Sequence, residues 1–381
     1  MIEPHDFILA HAQVVLADRI VPGWVAVSGG LIAEVGEGEA PGGIDCGGDF
    51  LIPGLIELHT DHLEPHVQPR PKVMWNLMSA VLAYDAQIAA AGITTVFDSL
   101  RVGAASDTDQ MSRDVERLAD TIEAARALDV LRADHLTHLR CEIATADVIA
   151  MAGRVLERCG VRLISLMDHT PGQRQFRDLE KMQIYFARHG YATQESFDAL
   201  VAERLALHDE FAVENRRKLV SLAHAKGAAI ASHDDDNVDH VAEAIIDRVS
   251  IAEFPTTIEA ARASHAAGIK VLMGAPNLVR GGSHSGNVAA QALAEAGILD
   301  ILSSDYVPAS LLHAAFELPQ LVPAIDFPQA IRLVTRNPAE ATGLADRGEI
   351  AAGRRADLVR VATACGVPVV RTVWRQGRRV V

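Results

Sequence analysis

The run Phe50-Leu-Ile-Pro53-Gly54-Leu-Ile-Glu-Leu-His59-Thr-Asp61 constrains this chain more than any other stretch. Leu51, Ile52, Leu55, Ile56 and Leu58 make a buried-strand pattern that ends abruptly in two metal-capable side chains. Residues two apart on a strand share a face, so His59 and Asp61 point the same way. Polar groups at the end of an apolar strand need a strong partner, and a divalent cation supplies one. From this run alone, a core histidine beside a turn aspartate fits equally well.

The texture of the rest decides between them. Short strands separated by turns are expected over Phe7–Val15, Gly23–Ser28 and Leu31–Val35, with Ser28-Gly29-Gly30 and Pro41-Gly42-Gly43 as punctuation. From about residue 50, short apolar runs alternate with helical periods. The runs are Leu51–Leu58, Ile93–Leu100, His135–Ile143, Leu163–Met167, Ala228–Ser232, Val249–Phe254, Ile269–Gly274 and Ile298–Ser304. Helical stretches between them include Trp75–Ala91, Asp107–Ala127, Ala192–Ala225, Val238–Ile246, Thr257–Ala267 and Val288–Ala296. Eight runs joined by helices predict an α/β fold, a (β/α)₈ barrel of the TIM type over residues 51–344. Strand texture returns in Ala356–Val361, Val367–Trp374 and Arg378–Val381. Residues 1–50 and 345–381 are therefore expected to pair into one small β-sandwich domain built from both termini.

Composition narrows the class. A hydrophobic content of 49% with 22% charged residues is globular, and no run approaches the roughly 18 uncharged apolar residues of a membrane helix. Cys46, Cys141, Cys159 and Cys365 have no paired spacing, which argues against a disulfide framework or a thiolate zinc site. With an N-terminus unlike a signal peptide, these features point to the cytoplasm. A net charge of -15 argues against general nucleic-acid affinity, but a phosphorylated substrate needs only local positive charge.

Polar residues cluster where the barrel runs end. His59 and Asp61 close the first, and His138, Arg140 and Glu142 occupy the third. Asp168 and His169 end the fourth, His233 with Asp234, Asp235 and Asp236 the fifth, and Ser303, Ser304 and Asp305 the eighth. Barrel enzymes place their chemistry at these carboxyl ends. Imidazoles and carboxylates gathered there suit one or two divalent ions, Zn²⁺ or Mn²⁺ by ligand type. The aspartate run 234–236 reads as a solvated loop or a helix cap, and Glu57 and Asp168 as acceptors that orient neighbouring histidines.

At this point the chain resembles the amidohydrolase superfamily over nearly its whole length. The first run matches that superfamily's first strand. Asn337-Pro338-Ala339-Glu-Ala-Thr-Gly343 and Gly348-Glu-Ile-Ala-Ala-Gly353-Arg-Arg-Ala-Asp357 match its exit from the barrel. Most members carry a second histidine where Asp61 stands. The departure is similar to a narrower group, the triphosphate diphosphatases of phosphonate breakdown. Three stretches carry that likeness: His59–Pro71, Met167–Gln175 and Gly274–Asn287. Position 62 is histidine where that group has asparagine. The resemblance implies that His59 and Asp61 hold one metal, Glu142 bridges, and His169 and His233 hold the other. It also implies that Asp305 is both ligand and catalytic proton acceptor.

The implied substrate is a small phosphorylated sugar phosphonate, cleaved to a 5-phosphate and pyrophosphate. Neither nucleic acid nor membrane is expected as a partner, and a homo-oligomer is left open. Groups suited to phosphate oxygens are Arg70 between two prolines, Arg140, Arg174 and Arg280. Ser283 and His284 add donors in the glycine-rich stretch after the seventh run, and His66 lies on the loop after the first. Two other readings share parts of this sequence. One is an amidohydrolase or deaminase of a cyclic amide or aminated nucleobase, disfavoured by an aromatic content of 4%. The other is a noncatalytic metal-binding subunit, which would not need Asp305 beside an open position.

Overall fold

The computed structural model describes residues 6–103, 114–177, 179–187, 191, 193–283 and 286–381. Positions 107–113 and 192 of two expected helices, and the residues His284 and Ser285, lie outside the described residues.

The strands in chain order are β1 (Phe7–Val15), β2 (Ile20–Ser28), β3 (Leu31–Glu37), β4 (Ile44–Asp45), β5 (Phe50–Pro53) and β6 (Leu55–Thr60). Then come β7 (Ile93–Val102), β8 (Asp134–Glu142), β9 (Val161–Met167), β10 (Ala229–His233), β11 (Ile251–Glu253), β12 (Lys270–Gly274) and β13 (Ile301–Ser303). The last three are β14 (Leu358–Ala364), β15 (Val367–Arg375) and β16 (Arg378–Arg379). Strands β6 to β13 form one sheet in unbroken chain order, the eight-stranded parallel barrel that the apolar runs predict. Thr60 bridges Asp305 in parallel sense, which joins the first strand to the residue two beyond the last. Strands from both termini form a second sheet, ordered β16-β15-β14-β5-β1-β2-β3 with β4 on β1.

One expected strand splits. The run Leu51–Leu58 contributes β5 to the terminal sheet and β6 to the barrel, with Gly54 alone between them. Pro53 lacks the N–H to continue a ladder. A Cβ at Gly54 would stand 2.1 Å from Thr94 Oγ1, so only glycine passes there. The helical expectations shift by a residue or two, as end caps dictate. Asn76 accepts from the Ser79 N–H, which starts a helix at Leu77 rather than Trp75. Thr193 caps the 33-residue helix Gln194–Lys226, and Gly227 at φ +64° ends it.

The chain divides into two compact units, one of residues 1–98, 121–136 and 273–381 and one of residues 99–120 and 137–272. The first holds the terminal sheet, whose core includes Leu9, Val14, Val25, Leu51, Leu358 and Trp374. In the second, β8 through β12 run parallel in register, Arg140 beside Ser165 and His233 beside Glu253. No helix among the described residues is long and apolar enough to cross a membrane.

Candidate metal centre

In the first unit, β6 delivers His59 buried at its end and Asp61 half-buried just beyond. Glu57, fully buried on the same strand, accepts the His59 N–H at 2.7 Å and also the Ser304 N–H. Burial pushes Glu57 up to about 8, against the hydrogen bonds that stabilise its anion. It therefore ties the backbone after β13 to β6, rather than orienting the His59 ring. Asp305 takes a left-handed φ of +55°, its N–H donating to the His59 carbonyl at 3.2 Å. Its own carbonyl accepts from the Asp61 N–H at 2.8 Å. Gly274, on the end of β12, lies beside Asp305: a Cβ there would stand 3.5 Å from its Oδ2, an ordinary contact. His59, Asp61 and Asp305 thus share one backbone knot.

The second unit gathers Glu142, His169 and His233. Glu142 at the end of β8 accepts from the His169 N–H at 3.1 Å, and its Oε2 lies 2.6 Å from His169 Nδ1. The His169 and His233 rings stand 5.9 Å apart at 72°. His169, His233 and Asp234 each offer a ligand atom, and these atoms lie within 4.8 Å of one another. Two imidazole nitrogens and a carboxylate oxygen at that spacing fit a borderline cation such as Zn²⁺ or Mn²⁺. Asp234 belongs to the run read as a solvated loop, yet it is buried at φ +56°, its N–H on the Glu253 carbonyl at 2.9 Å. Such strain outside glycine gathers at functional sites.

His233 is held from behind. Its Nδ1 is 3.1 Å from Oε2 of Glu253, a fully buried carboxylate that also accepts from Ser165 Oγ at 2.6 Å. That arrangement leaves His233 Nε2 facing Asp234 at 3.4 Å. Glu253 ends an apolar run just as Glu142 does, so the same sequence signal applied to β11 finds it. Asp168 turns to His208 at 3.1 Å rather than to His169. Burial opposes its charge, but His208 and Thr170 outweigh that and hold it at about 2. His208 lies on the long helix, and nothing local in the sequence distinguishes it.

The residues read as substrate contacts separate. Arg174 is 3% exposed, ion-paired to buried Asp235 and donating to the His233 carbonyl at 3.0 Å. Its guanidinium is engaged within the protein by these two partners. Arg140 is buried in β8. Arg70 is exposed, its backbone bridging Val73, and Arg280 is exposed with Nη1 3.4 Å from the Tyr306 hydroxyl. Ser283 is half-buried, and His284 lies outside the described residues. His66 Nε2 meets Gln87 Oε1 at 3.2 Å and its ring packs 5.2 Å from that of His62. Burial and then the charge of His62 lower its pKa, so at neutral pH it offers a hydrogen bond rather than a cation.

Also unforeseen is a buried trio in the first unit. His135 Nδ1 lies 3.0 Å from the Asp98 carboxylate and its Nε2 lies 3.2 Å from Asp85. Burial alone would lower His135, but Asp98 and Asp85 raise it to about 9.

The model of the amidohydrolase family matches residues 76–381. The alpha-D-ribose 1-methylphosphonate 5-triphosphate diphosphatase of Escherichia coli (strain K12) is 45% identical over 376 residues, covering 98% of this chain and 100% of that protein. Among solved structures, the N-acetyl-D-glucosamine-6-phosphate deacetylase of Mycobacterium smegmatis aligns with a TM-score of 0.64 at 16% identity, over 98% of this chain and 100% of that one. The 5-methylcytosine deaminase of Klebsiella pneumoniae aligns with a TM-score of 0.65 at 15% identity, over 98% of each chain. These two likenesses speak for the fold alone.

Proposed function

Because the chain belongs to the amidohydrolase family, we propose that it is a metal-dependent hydrolase of alpha-D-ribose 1-methylphosphonate 5-triphosphate, releasing pyrophosphate and leaving the 5-phosphate. The observation that carries this reading is the end-to-end match to the Escherichia coli diphosphatase. In this proposal His59 and Asp61 would hold a divalent ion, Glu142, His169 and His233 would hold another, and Asp305 would be a further ligand. Zn²⁺ or Mn²⁺ suits that mixture of imidazole and carboxylate. Bound cations of this kind lower the pKa of water toward neutrality and withdraw charge from phosphoryl oxygens.

The protein's own groups do the rest. Asp305 accepts the proton of the attacking water. The water oxygen bonds to one phosphorus of the α–β bridge, the P–O bond of that bridge breaks, and its electron pair leaves on the other phosphate fragment. Positive charge near the phosphates holds the chain in line and takes up charge on the leaving group. Arg140, Arg70 and Arg280 remain the sequence-derived donors for this role, with Ser283, His284 and the neutral His66 as hydrogen-bonding groups. The four cysteines are free, which supports a reducing compartment such as the cytoplasm.

Purified protein loaded with zinc or manganese should release pyrophosphate from the ribose phosphonate triphosphate. Release of orthophosphate alone overturns the assignment. Hydrolysis in oxygen-18 water, read by phosphorus NMR, identifies the phosphorus attacked.

A further inference from the structure

We propose that Arg204 seats a phosphate of the substrate's triphosphate arm beside Glu142 and His169, an inference that rests on the reaction just proposed. Arg204 lies within the helix Gln194–Lys226. It lines an open hollow in the second unit together with Glu142, Thr145, His169, Thr170 and Leu207.

The other arginines on this helix are neutralised. Arg216 meets Asp247 at 2.6 Å and Glu243 at 3.3 Å, and Arg217 meets Glu214 at 2.7 Å. Arg204 has no carboxylate partner among the described residues, and its buried Nε has no hydrogen-bond acceptor among them. Its guanidinium carbon instead sits 5.2 Å from the centre of the Phe186 ring. Stacking on a ring face fixes the plane of the fork without occupying its N–H groups. A planar, oriented, uncommitted fork matches two oxygens of a phosphate. Glu142 is the acidic side chain that lines the same hollow, and Arg204 is the guanidinium that faces it there. The hydroxyls of Thr145 and Thr170 face inward connections already, to the Glu142 carbonyl at 3.0 Å and to His208 Nδ1 at 3.3 Å.

The test uses metal-loaded enzyme, inorganic tripolyphosphate as the probe, and the variants Arg204→Met and Arg204→Lys. Methionine keeps an apolar stem against Phe186 and removes the fork; lysine keeps charge without the fork. Arg204→Met should weaken tripolyphosphate binding at least tenfold and raise KM for the triphosphate more than it lowers kcat. Arg204→Lys should recover part of that loss, while metal content and melting temperature stay at the wild-type values. Tripolyphosphate binding unchanged in Arg204→Met overturns the seat, and the reaction stands if wild type still releases pyrophosphate. Wild-type protein that binds tripolyphosphate through Arg204 yet releases no pyrophosphate overturns the reaction and leaves the seat in place. Equal losses in the two variants, with metal content also lost, overturn the seat in favour of a structural role.

Discussion

The amide of Asp61 donates to the carbonyl of Asp305 at 2.8 Å, across the point where the first barrel strand meets the residues after the last. The return bond, from the Asp305 amide to the His59 carbonyl at 3.2 Å, makes this a two-sided backbone clasp. Side chains at 59, 61 and 305 therefore take their origins from main-chain geometry, and changing one need not displace the others.

Asp305→Asn should accordingly fold normally. Asparagine tolerates the left-handed backbone at φ +55° and keeps the shape of the side chain. Turnover should fall by about 10²–10⁴-fold, the usual worth of a positioned general base. Metal content by elemental analysis should stay near that of the wild type. Activity within twofold of wild type would remove Asp305 from the role of base.

Glu253→Gln should weaken metal binding about 10–100-fold, because the carboxylate behind His233 Nδ1 fixes the orientation of the ring. Competition with a chelator measures this without any turnover. An unchanged dissociation constant contradicts the orienting role.

Arg174→Met should act on stability more than on KM. It leaves the Asp235 carboxylate buried without its charged partner, at about 3–5 kcal/mol if that anion cannot reach water. Urea unfolding reads the loss. A large rise in KM with the unfolding midpoint untouched would restore Arg174 to the substrate.

The buried trio predicts a pH dependence of folding. His135 is raised to about 9 in the fold, so its contribution is complete below the unfolded value of about 6.5 and is lost as pH rises through 9. The amount is on the order of 3–4 kcal/mol, from about 1.4 kcal/mol for each pH unit of displacement. Stability curves of wild type should fall between pH 6.5 and 9, and those of His135→Gln should be flatter across that window. Parallel slopes would mean that His135 is not the group responsible.

Much of the barrel was legible because apolar runs bounded by polar ends report burial directly, and all eight runs contain strands. The break at Gly54 was not, since Leu51 through Leu58 is apolar on both sides of it and the two halves differ only in which sheet accepts them. At the candidate site, strand-end residue types were visible in the sequence, but their partners were not. Asp234 looks like its neighbour Asp236 until the φ of +56° turns it inward. Arg174 looks like a phosphate ligand until Asp235, sixty-one positions on, claims it. The Asp85–His135–Asp98 trio joins a helix and two strands through single polar residues that no local period distinguishes.

The single-residue joint at Gly54 leaves no slack between the outlying sheet and the strand that carries His59 and Asp61. On its far side, β5 is gripped by β1 from the start of the polypeptide and by β14 from near its end. The peripheral sheet therefore serves as a mounting bracket for that strand. Trimming the protein to a bare barrel would cut the tether that sets the strand's axial position, so the terminal segments belong to the working frame as much as the barrel does.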